Sequence, residues 1–461
     1  MKTIDGIVGF EGRLIGPDDA AYDTARRVWN GAIDKHPRLI ARCAGEDDAA
    51  RALAFARERG LPVSVRGGGH NVAGSAIAQD GVVIDFSDLH GVLVDGERRI
   101  AVVQPGARWG DVDRATQASG LATPSGIVSD TGVAGLTLGG GFGWLSRRWG
   151  LTSDNLVEAR MILADGSRIR IAADEHPDLF WAAGGGAGNF GIVTEFTFRL
   201  HSLGTEVVAG PLLYPADRAD DVLHAYRQFV ATAPDEVAAY VNLRTAPAFE
   251  WVPVELQGTD VVIVVLSASG DLDAGEAALE PFRRAIAPAA DLVRRKPYLA
   301  HQTMFDAAVP AGWGYYWKSH YLPPLTDGAI DAIVAHAWRK SSPTGFSILF
   351  HLGGAIADRP PDASAASGRD ALHALNVNAS WAAGGPSHPD VAWAREYAAA
   401  VAPHATGGVY VNFLHDDEGE ARIRAAYGAR YERLVEIKSR TDPDNIFRSN
   451  QNIPPAAAPP S

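Results

Sequence analysis

Residues 61–71 read LPVSVRGGGHN, a short apolar and β-branched run that leads into three glycines, a histidine and an asparagine. Such a run predicts a strand followed by a loop. Three consecutive glycines expose backbone N–H groups and let a phosphate approach the main chain closely, and Arg66 adds positive charge. Because the Gly-Lys-Ser/Thr ending of a Walker loop is absent, the loop alone indicates either an anion-binding site or a plain turn.

A second glycine-rich region covers residues 126–150 and contains GGGFGW at residues 139–144. A Rossmann domain requires GxGxxG at a strand–helix junction, with an acidic residue about 20 positions further on. Neither glycine-rich region has that context. The sequence therefore argues against an ordinary NAD-binding domain.

The composition is that of a globular protein with an acidic charge balance. The chain has 461 residues, of which 46% are hydrophobic and 21% are charged, and its formal charge is −13. This length suits two domains or one two-lobed unit. Lys and Arg are scattered in short runs, whereas a phosphate backbone requires a clustered basic face, so no nucleic acid partner is expected.

Cysteine usage and the first residues limit the protein class further. Cys43 is the only cysteine, so an intramolecular disulfide and a cysteine-based zinc site are excluded, and no metal site is expected. The chain starts with neither a signal peptide nor a long apolar segment, and no stretch approaches the roughly 20 apolar residues of a membrane span. We expect a cytoplasmic protein with no membrane partner, and the oligomeric state is unreadable from the sequence.

Periodicity and turn residues predict helices and strands along the whole chain. The helix over residues 45–60 carries acidic residues first, Ala and Leu at helical spacing, and then Arg and a closing Gly. A hairpin over residues 160–172 has Asp165-Gly166 at its tight turn. The other predicted elements are helices at 106–121, 219–233 and 419–440 and strands at 81–89, 99–107, 188–200, 260–270 and 344–355.

Five motifs occur in a fixed order. They are RGGGHNVAG at 66–74, PSGIVSDTGVAGLTLGGGFGWLSRRWGLTSDNLV at 124–157, GAGNFGIVTEFTFRL at 186–200, YVNF at 410–413 and DPDNIFRSNQNI at 442–453. Together they resemble the berberine bridge enzyme-like branch of the vanillyl-alcohol oxidase/p-cresol methylhydroxylase (PCMH) family of FAD-linked oxidases. The resemblance is densest over residues 35–205 and 405–453.

The resemblance implies an α+β fold built from two units. A two-part FAD-binding domain of the PCMH type is expected over residues 1–205. A substrate-binding domain over residues 206–404 is expected to carry an antiparallel sheet covered by helices. The C-terminal berberine bridge-like segment, residues 405–461, is expected to return to the FAD domain.

In this family the glycine loop binds the FAD pyrophosphate, and a histidine bonds the 8α-methyl carbon of the flavin. His70 stands at that position, and its alternative interpretation is a buried loop histidine. Many relatives form a second bond through a cysteine in a Cys-Pro-Thr-Val-Gly pattern. Alignment of the glycines places Val128 at the cysteine position. We therefore expect FAD held by one covalent bond to His70, with no cysteinyl bond.

The resemblance also implies how the flavin meets dioxygen. Thr131 falls at the position beside the flavin edge that governs oxygen access, where a small residue implies oxygen reactivity or simply replaces Val. Val128, Thr131 and Leu136 together resemble a subgroup that oxygenates polyketides through a flavin N5-oxide. The full set of predicted cofactor-binding residues is Arg66, Gly67, Gly68, Gly69, His70, Asn71, Ser75, Val128, Thr131, Gly132, Gly135, Leu136, Gly140, Gly143, Asn155, Gly188, Ile192, Asn412 and Gln451.

Substrate-side residues are predicted from strand alternation. In FSILFHL at residues 346–352, His351 shares a face with Ser347 and Leu349, and Tyr240 shares a face with Asn242 in YVNL at residues 240–243. Asn376 and Asn378 share a face of a further strand.

The choice of catalytic base rests on these strands and on one family element. The family tends to have Lys, Gln or Glu where Asn376 and Asn378 fall, which puts the usual carboxylate base in doubt. Tyr410 and Asn412 match the family's Tyr-x-Asn-Tyr element beside the flavin. His351 and Tyr410 are the candidate bases. The predicted catalytic residues are Tyr410, His351, Asn376, Asn378, Tyr240 and Thr131.

The sequence therefore predicts an FAD-linked oxidase. It would transfer a hydride from an alcohol or amine C–H bond of a small or natural-product substrate to the flavin, and dioxygen would take up the electrons. Two alternatives stay open. One is a flavin N5-oxide-dependent oxygenase of polyketide-type secondary metabolism, and the other is a flavin-loaded protein that binds an antibiotic without turnover and confers resistance.

Overall fold

The computed structural model describes residues 6–382 and 389–457. The strands in these ranges are β1 (Arg13–Ile15), β2 (Leu39–Arg42), β3 (Val63–Arg66), β4 (Val82–Asp85), β5 (Val92–Asp95), β6 (Ile100–Val103), β7 (Leu121–Ala122), β8 (Leu156–Ile162), β9 (Arg168–Ala172), β10 (Ile192–Arg199), β11 (His201–Ser202), β12 (Glu206–Pro215), β13 (Val237–Thr245), β14 (Asp260–Ala268), β15 (Ala290–Asp291), β16 (Arg294–Pro297), β17 (Gly314–Leu322), β18 (Phe346–His351) and β19 (His373–Trp381).

The α-helices of the same ranges alternate with these strands. They are α1 (Tyr22–Ala25), α2 (Glu46–Glu58), α3 (Trp109–Gln117), α4 (Val133–Leu138), α5 (Ser146–Trp149), α6 (Pro177–Ala183), α7 (Ala219–Val230), α8 (Leu272–Ala285), α9 (Tyr298–Gln302), α10 (Asp327–Ala337), α11 (Asp390–Val401), α12 (Glu420–Tyr427) and α13 (Tyr431–Thr441). Not one of the helices in the described ranges has the length and apolar character needed to cross a membrane.

The glycine loop begins at the end of a small mixed sheet. Its strand order is β1-β2-β4-β3, in which β4 runs parallel to both β2 and β3. Helix α2 makes the crossover from β2 to β3 and buries Ala49, Ala52, Leu53 and Ala56 on one side. Because β3 ends at Arg66, the glycines follow at the carboxyl end of a parallel strand, where open α/β sheets bind their ligands.

The second sheet is antiparallel, with the order β5-β6-β10-β8-β9. It confirms the predicted hairpin, since β8 and β9 are neighbours and Gly166 has φ 91° at the turn. Tyr427 and Leu434, from the C-terminal helices, are buried in one hydrophobic core with Phe196 and Phe198 of β10. The C-terminal segment therefore packs against this sheet.

The third sheet has eight antiparallel strands. Its order is β15-β12-β14-β13-β18-β19-β17, and β16 also pairs with β12. Helices α7, α8, α10 and α11 cover one face, where Val241, Leu349 and Leu375 are buried. Tyr240 and Ile348 belong to a separate core on the other face. The structure thus confirms an antiparallel sheet covered by helices, on one of its two faces.

One predicted helix is interrupted. Residues 419–440 form α12 and α13, with a single 3-10 turn between them at Gly428–Arg430. Gly428 has φ 56° and ψ −138°, a backbone conformation that glycine adopts and that other residues avoid. Helical periodicity continues on both sides of this glycine, so the sequence pattern alone does not show the break.

A buried lysine connects α13 to the rest of the core. The Lys438 ammonium donates hydrogen bonds to the carbonyl oxygens of Asn189 (2.8 Å) and Phe447 (2.9 Å) and to the Asp442 carboxylate (2.6 Å). Both charged side chains of this pair are fully buried. All three ammonium donors are used, so the charge is compensated although it is removed from water.

We predict that Lys438→Met lowers the free energy of unfolding by about 3–5 kcal/mol, because the Asp442 carboxylate is then buried without its partner. Arg440→Met is the matched control on the same helix, since Arg440 forms an exposed ion pair with Asp178. That control is expected to cost less than about 1 kcal/mol. Urea denaturation of the purified protein measures both changes, and equal losses in the two variants would contradict the prediction.

Candidate active site

One large cavity lies between the glycine-rich loops and the large sheet. Its walls come from residues 67–71 after β3, from residues within 126–136, from the side chains of β13, β18 and β19 that face away from the covering helices, and from the C-terminal stretches 410–413 and 447–451. All five ordered sequence motifs therefore line a single site. The motif at residues 186–200 does so through Ala187, Gly188, Gly191 and Val193.

Two glycines bring the loops into direct backbone contact. A Cβ on Gly68 would lie 2.4 Å from the Gly132 Cα, and a Cβ on Gly132 would lie 2.5 Å from the Gly68 nitrogen. Real Cβ atoms do not approach backbone so closely, so neither position accepts a side chain without a shift of the loops. Gly69 has φ 67°, a left-handed conformation that favours glycine. The triplet thus forms a tight loop whose backbone faces the cavity.

His70 is held by two contacts at the cavity wall. Its Nε2 lies 3.1 Å from Asp130 Oδ1, and its ring stacks on Trp29 with 4.2 Å between centroids and 20° between planes. Burial raises the pKa of the Asp130 carboxyl, but the contact with His70, the charge of Arg108 and a backbone hydrogen bond together outweigh burial, so the net pKa is lowered. With Nε2–H donated to this carboxylate, Nδ1 would keep its lone pair.

Asp130 and Trp29 are contacts of His70 that sequence reasoning missed. Asp130 stands inside the second glycine motif, next to the predicted residue Thr131, but nothing in the pattern connects it with a histidine 60 positions earlier. Trp29 lies outside all five motifs. The adjacency of an acidic residue to Thr131 was the only signal that the sequence offered.

Most predicted cofactor residues line the cavity. Asn71 also organises its loop, because its side-chain oxygen accepts hydrogen bonds from the Ala73 N–H (3.0 Å) and the Ser75 hydroxyl (3.1 Å). The residues that line the cavity are Gly67, Gly68, Gly69, His70, Asn71, Ser75, Val128, Thr131, Gly132, Gly135, Leu136, Gly188, Asn412 and Gln451.

Five predicted cofactor residues are not part of the cavity wall. Arg66 donates to a main-chain carbonyl oxygen, and the Asn155 amide donates to two carbonyl oxygens and bonds a histidine ring at 2.7 Å. Ile192 is fully buried in the core beside the small mixed sheet. Gly140 and Gly143 are in close contact with other segments of the chain. These five residues lie behind the cavity wall and contact other parts of the chain.

Eight residues of the large sheet line the cavity, and six of them form two cross-strand rows, which we call the sheet wall. The first row is Asn242, Ile348 and Asn376, and the second row is Arg244, Phe346 and Asn378. Asn242 and Asn376 are 2% and 3% exposed, and Asn242 Nδ2 and Asn376 Oδ1 have no hydrogen-bond partner within the described residues. An unpaired buried polar atom costs about 1–3 kcal/mol, so both atoms are suited to bind a ligand.

Tyr410 presents its hydroxyl group at the other side of the cavity. The hydroxyl oxygen accepts hydrogen bonds from the Gly141 N–H (3.1 Å) and from the Asn412 amide (2.9 Å). Both lone pairs are therefore occupied, and the Tyr410 proton remains for a third partner. Burial raises the pKa of Tyr410 although both donors act in the opposite direction. The side chain is therefore a neutral hydrogen-bond donor at ordinary pH.

His351 and Tyr240 are not brought to the cavity wall. His351 lies on the helix-covered face with Ser347, is 1% exposed, and has a pKa lowered well below its ordinary value by burial. Strand alternation correctly placed His351 and Ser347 on one face of the sheet. That face is turned away from the cavity, so His351 is not in position to act as a base. Tyr240 is on the cavity side of the sheet, where it stacks on Trp144 at 4.4 Å and is covered.

The cavity wall carries little charge. Among its described residues the ionisable side chains are His70, Arg244 and Tyr410, and no Asp, Glu or Lys is present. The sequence put a carboxylate base in doubt because Asn376 and Asn378 stand at the expected positions, and no other described residue of the wall supplies a carboxylate. Arg244, the one permanently charged residue of this set, was not predicted.

Comparison with protein families matches residues 37–172 to the FAD binding domain family and residues 409–454 to the berberine and berberine-like family. The first match contains both glycine loops, His70 and Thr131, and the second contains Tyr410 and Asn412. The fold and the site therefore define an FAD-linked oxidoreductase.

Individual relatives cover the whole length of the chain. The FAD-linked oxidoreductase YgaK of Bacillus subtilis is 32% identical over 457 residues, covering 96% of this chain and 97% of that protein. (R)-6-hydroxynicotine oxidase of Paenarthrobacter nicotinovorans is 29% identical over 457 residues, with 97% and 98% covered. The crystal structure of 6-hydroxy-D-nicotine oxidase from Arthrobacter nicotinovorans has a TM-score of 0.85 at 27% identity, with 96% of this chain and 98% of that chain covered. The chain belongs to the berberine bridge enzyme-like family of FAD-linked oxidoreductases.

The residues of the cavity fit an FAD group. The glycine loop offers backbone N–H groups without Cβ atoms to a pyrophosphate, and Val128, Thr131 and Leu136 offer small or apolar contacts to a flat ring system. These groups line one continuous cavity, as the binding of an extended dinucleotide requires.

We predict that Gly68→Ala and Gly132→Ala each greatly reduce the amount of FAD that purifies with the protein. The added methyl group separates the loops, and overpacking of this kind costs about 1–3 kcal/mol. Gly45→Ala is the matched control, because a Cβ there meets nothing within 4 Å. The ratio of flavin to protein absorbance measures the effect, and normal FAD content in Gly68→Ala would refute the role of the contact.

Proposed function

We propose that this protein is an oxidase that holds FAD through one covalent bond to His70, oxidises an alcohol or amine C–H bond of a small molecule, and uses dioxygen as electron acceptor. The observation that carries the proposal is a single cavity that is lined by the glycine loop, His70, Tyr410 and the sheet wall. Bound FAD supplies hydride acceptance from the substrate and electron transfer to dioxygen. The protein supplies binding, orientation and proton placement.

Cys43 supports attachment through histidine alone. It is the only cysteine in the sequence, it is 1% exposed, and its thiol is 3.4 Å from the Ala41 carbonyl oxygen. Burial raises the pKa of this thiol, which lowers its reactivity. His70 is the nucleophile that the cavity offers, with Asp130 positioned to hold the Nε2 proton.

Tyr410 positions the substrate in this proposal. Its proton is free to be donated to a substrate oxygen or nitrogen, while Gly141 and Asn412 fix the direction of the hydroxyl. Because its pKa is raised, Tyr410 stays protonated at neutral pH and its basic form is not populated. A neutral amine can be oxidised with less help from a protein base than an unactivated alcohol.

The oxygenase is the second candidate because Val128, Thr131 and Leu136 all line the same cavity. These are the three residues by which the sequence resembles oxygenases that act on polyketides. The two candidates differ in the mass of the bound cofactor, so one measurement separates them.

We predict that denatured wild-type protein has an intact mass one FAD above that of the polypeptide, and that His70→Ala has the bare mass. Asp130→Asn is expected to flavinylate more slowly, because the amide holds the His70 proton less strongly than the carboxylate does. Asp306→Asn is the matched control, since Asp306 contacts the same loop through Ser129 but not His70.

Mass spectrometry during reconstitution with FAD follows these rates. A yellow wild-type protein with the bare polypeptide mass would exclude the histidyl bond. A further mass increment of one oxygen atom on the flavin would favour the oxygenase.

We predict that Tyr410→Phe slows flavin reduction by at least about tenfold at unchanged FAD content, because a hydrogen bond to the reacting substrate is lost. Tyr240→Phe is the control, since Tyr240 is buried behind Trp144 and does not line the cavity. Anaerobic stopped-flow absorbance with the first active compound from a panel of amines and alcohols measures the rate. Equal slowing in both variants would contradict the assignment.

A further inference from the structure

Arg244 is a half-buried guanidinium at the cavity wall, and no counter-ion pairs with it among the described residues. It lies on β13 in the second row of the sheet wall and lines the cavity. Within residues 6–382 and 389–457 its only hydrogen bond runs from Nε to the Thr245 carbonyl oxygen at 3.4 Å, and no carboxylate lies within ion-pair distance. Its nearest aromatic contact is Phe346, with 5.1 Å from Cζ to the ring centroid.

Two buried arginines of the described residues have strong partners for their guanidinium groups. Arg369, which is 3% exposed, forms a two-point ion pair with Asp154 at 2.6 and 2.9 Å. Arg147 donates to the carbonyl oxygens of Val237 (2.8 Å) and Ala233 (3.1 Å) and to a third carbonyl oxygen. These two guanidinium groups are held by a carboxylate or by several carbonyl oxygens, whereas the Arg244 guanidinium has only one long hydrogen bond.

The charge of Arg244 is costly in the absence of a ligand. Burial alone lowers its pKa to about 10, and no neighbouring charge acts in the other direction. The group still carries its proton at neutral pH. Partial removal of this charge from water without a partner is unfavourable, and an oxyanion in the cavity would compensate for it.

The surroundings of Arg244 suit a flat acid. Phe346 separates Arg244 from Asn378 in the same row, and two strand spacings place these polar groups roughly 10 Å apart. An aromatic ring against Phe346 would put a carboxylate at Arg244, which has the planar fork that binds carboxylates at two points. The cavity wall has no Asp or Glu to compete for the guanidinium.

We propose that the substrate of this enzyme carries a planar oxyanion, of the carboxylate type, attached to an aromatic or conjugated system, and that Arg244 binds this group. This inference rests on the proposed function in that it places a substrate in the cavity beside the flavin. Asn242, Asn376 and Asn378 then bind neutral polar groups of the same molecule. Arg244 is a specificity-determining residue and takes no part in the transfer of hydride.

Phe350, at the far end of the row of β18 side chains that face the cavity, lies beside Phe142, which packs on Tyr410 with 4.6 Å between ring centroids. Arg244 pairs with Phe346, four residues back along the same strand, or about 14 Å. The acidic group and the atom held by Tyr410 therefore belong to opposite ends of the substrate.

The test uses the FAD-loaded protein and the probe pair benzoate and benzamide, which have the same shape and differ in charge. Binding is followed by the change in the flavin absorption spectrum on titration, so no turnover is needed. Wild type is expected to bind benzoate at least about tenfold more tightly than benzamide, as charged hydrogen bonds imply. Arg244→Gln should reduce this ratio to about one at unchanged FAD content, and Arg244→Lys should retain part of it.

Arg295→Gln is the matched control, because Arg295 lies on the same sheet in an exposed ion pair with Glu276. Its ratio should equal that of wild type. A preserved ratio in Arg244→Gln, equal binding of both probes to wild type, or no benzoate binding tighter than about 10 mM would overturn the proposal. Failure of the oxidase proposal would appear separately, as charge-selective binding without flavin reduction by any amine or alcohol.

Discussion

The site depends on the backbone contact between Gly68 and Gly132. Removal of both side chains lets the loop after β3 meet the residues before α4 at a distance that no other pair of residues permits. His70 stands two residues after the first glycine and Asp130 two residues before the second, so this contact also brings the imidazole and the carboxylate within 3.1 Å. The close contact between the two glycines therefore also places His70, the proposed attachment residue, beside Asp130.

Sequence patterns predicted this part of the molecule well because its constraints are local. A strand followed by consecutive glycines, and Asp165-Gly166 between two strands, can each be recognised within a few residues of sequence. The contact between His70 and Asp130 leaves no such mark, since its partners are 60 residues apart and either side chain is ordinary on its own. Gly428 shows the same limit, because its backbone conformation depends on packing around two helices.

The large sheet shows a second limit of sequence reasoning. Alternation correctly grouped His351 with Ser347, and Asn376 with Asn378, but it does not state which group faces the cofactor. That choice is made by the covering helices, whose apolar sides bury Leu349 and its neighbours. Register between strands then decides which polar residues become row partners. Arg244 acquires its position beside Phe346 only in this way.

The charge distribution of the cavity limits the chemistry that the protein can assist. The wall has no Asp, Glu or Lys to serve as a base for an alcohol proton, and burial keeps the Tyr410 proton in place. The sheet wall provides one guanidinium and three amides, and Tyr410 adds a hydroxyl donor. These groups stabilise negative charge on a bound molecule and orient it. A substrate that brings its own negative charge, and whose reacting C–H bond needs no separate base, is the one that this arrangement serves best.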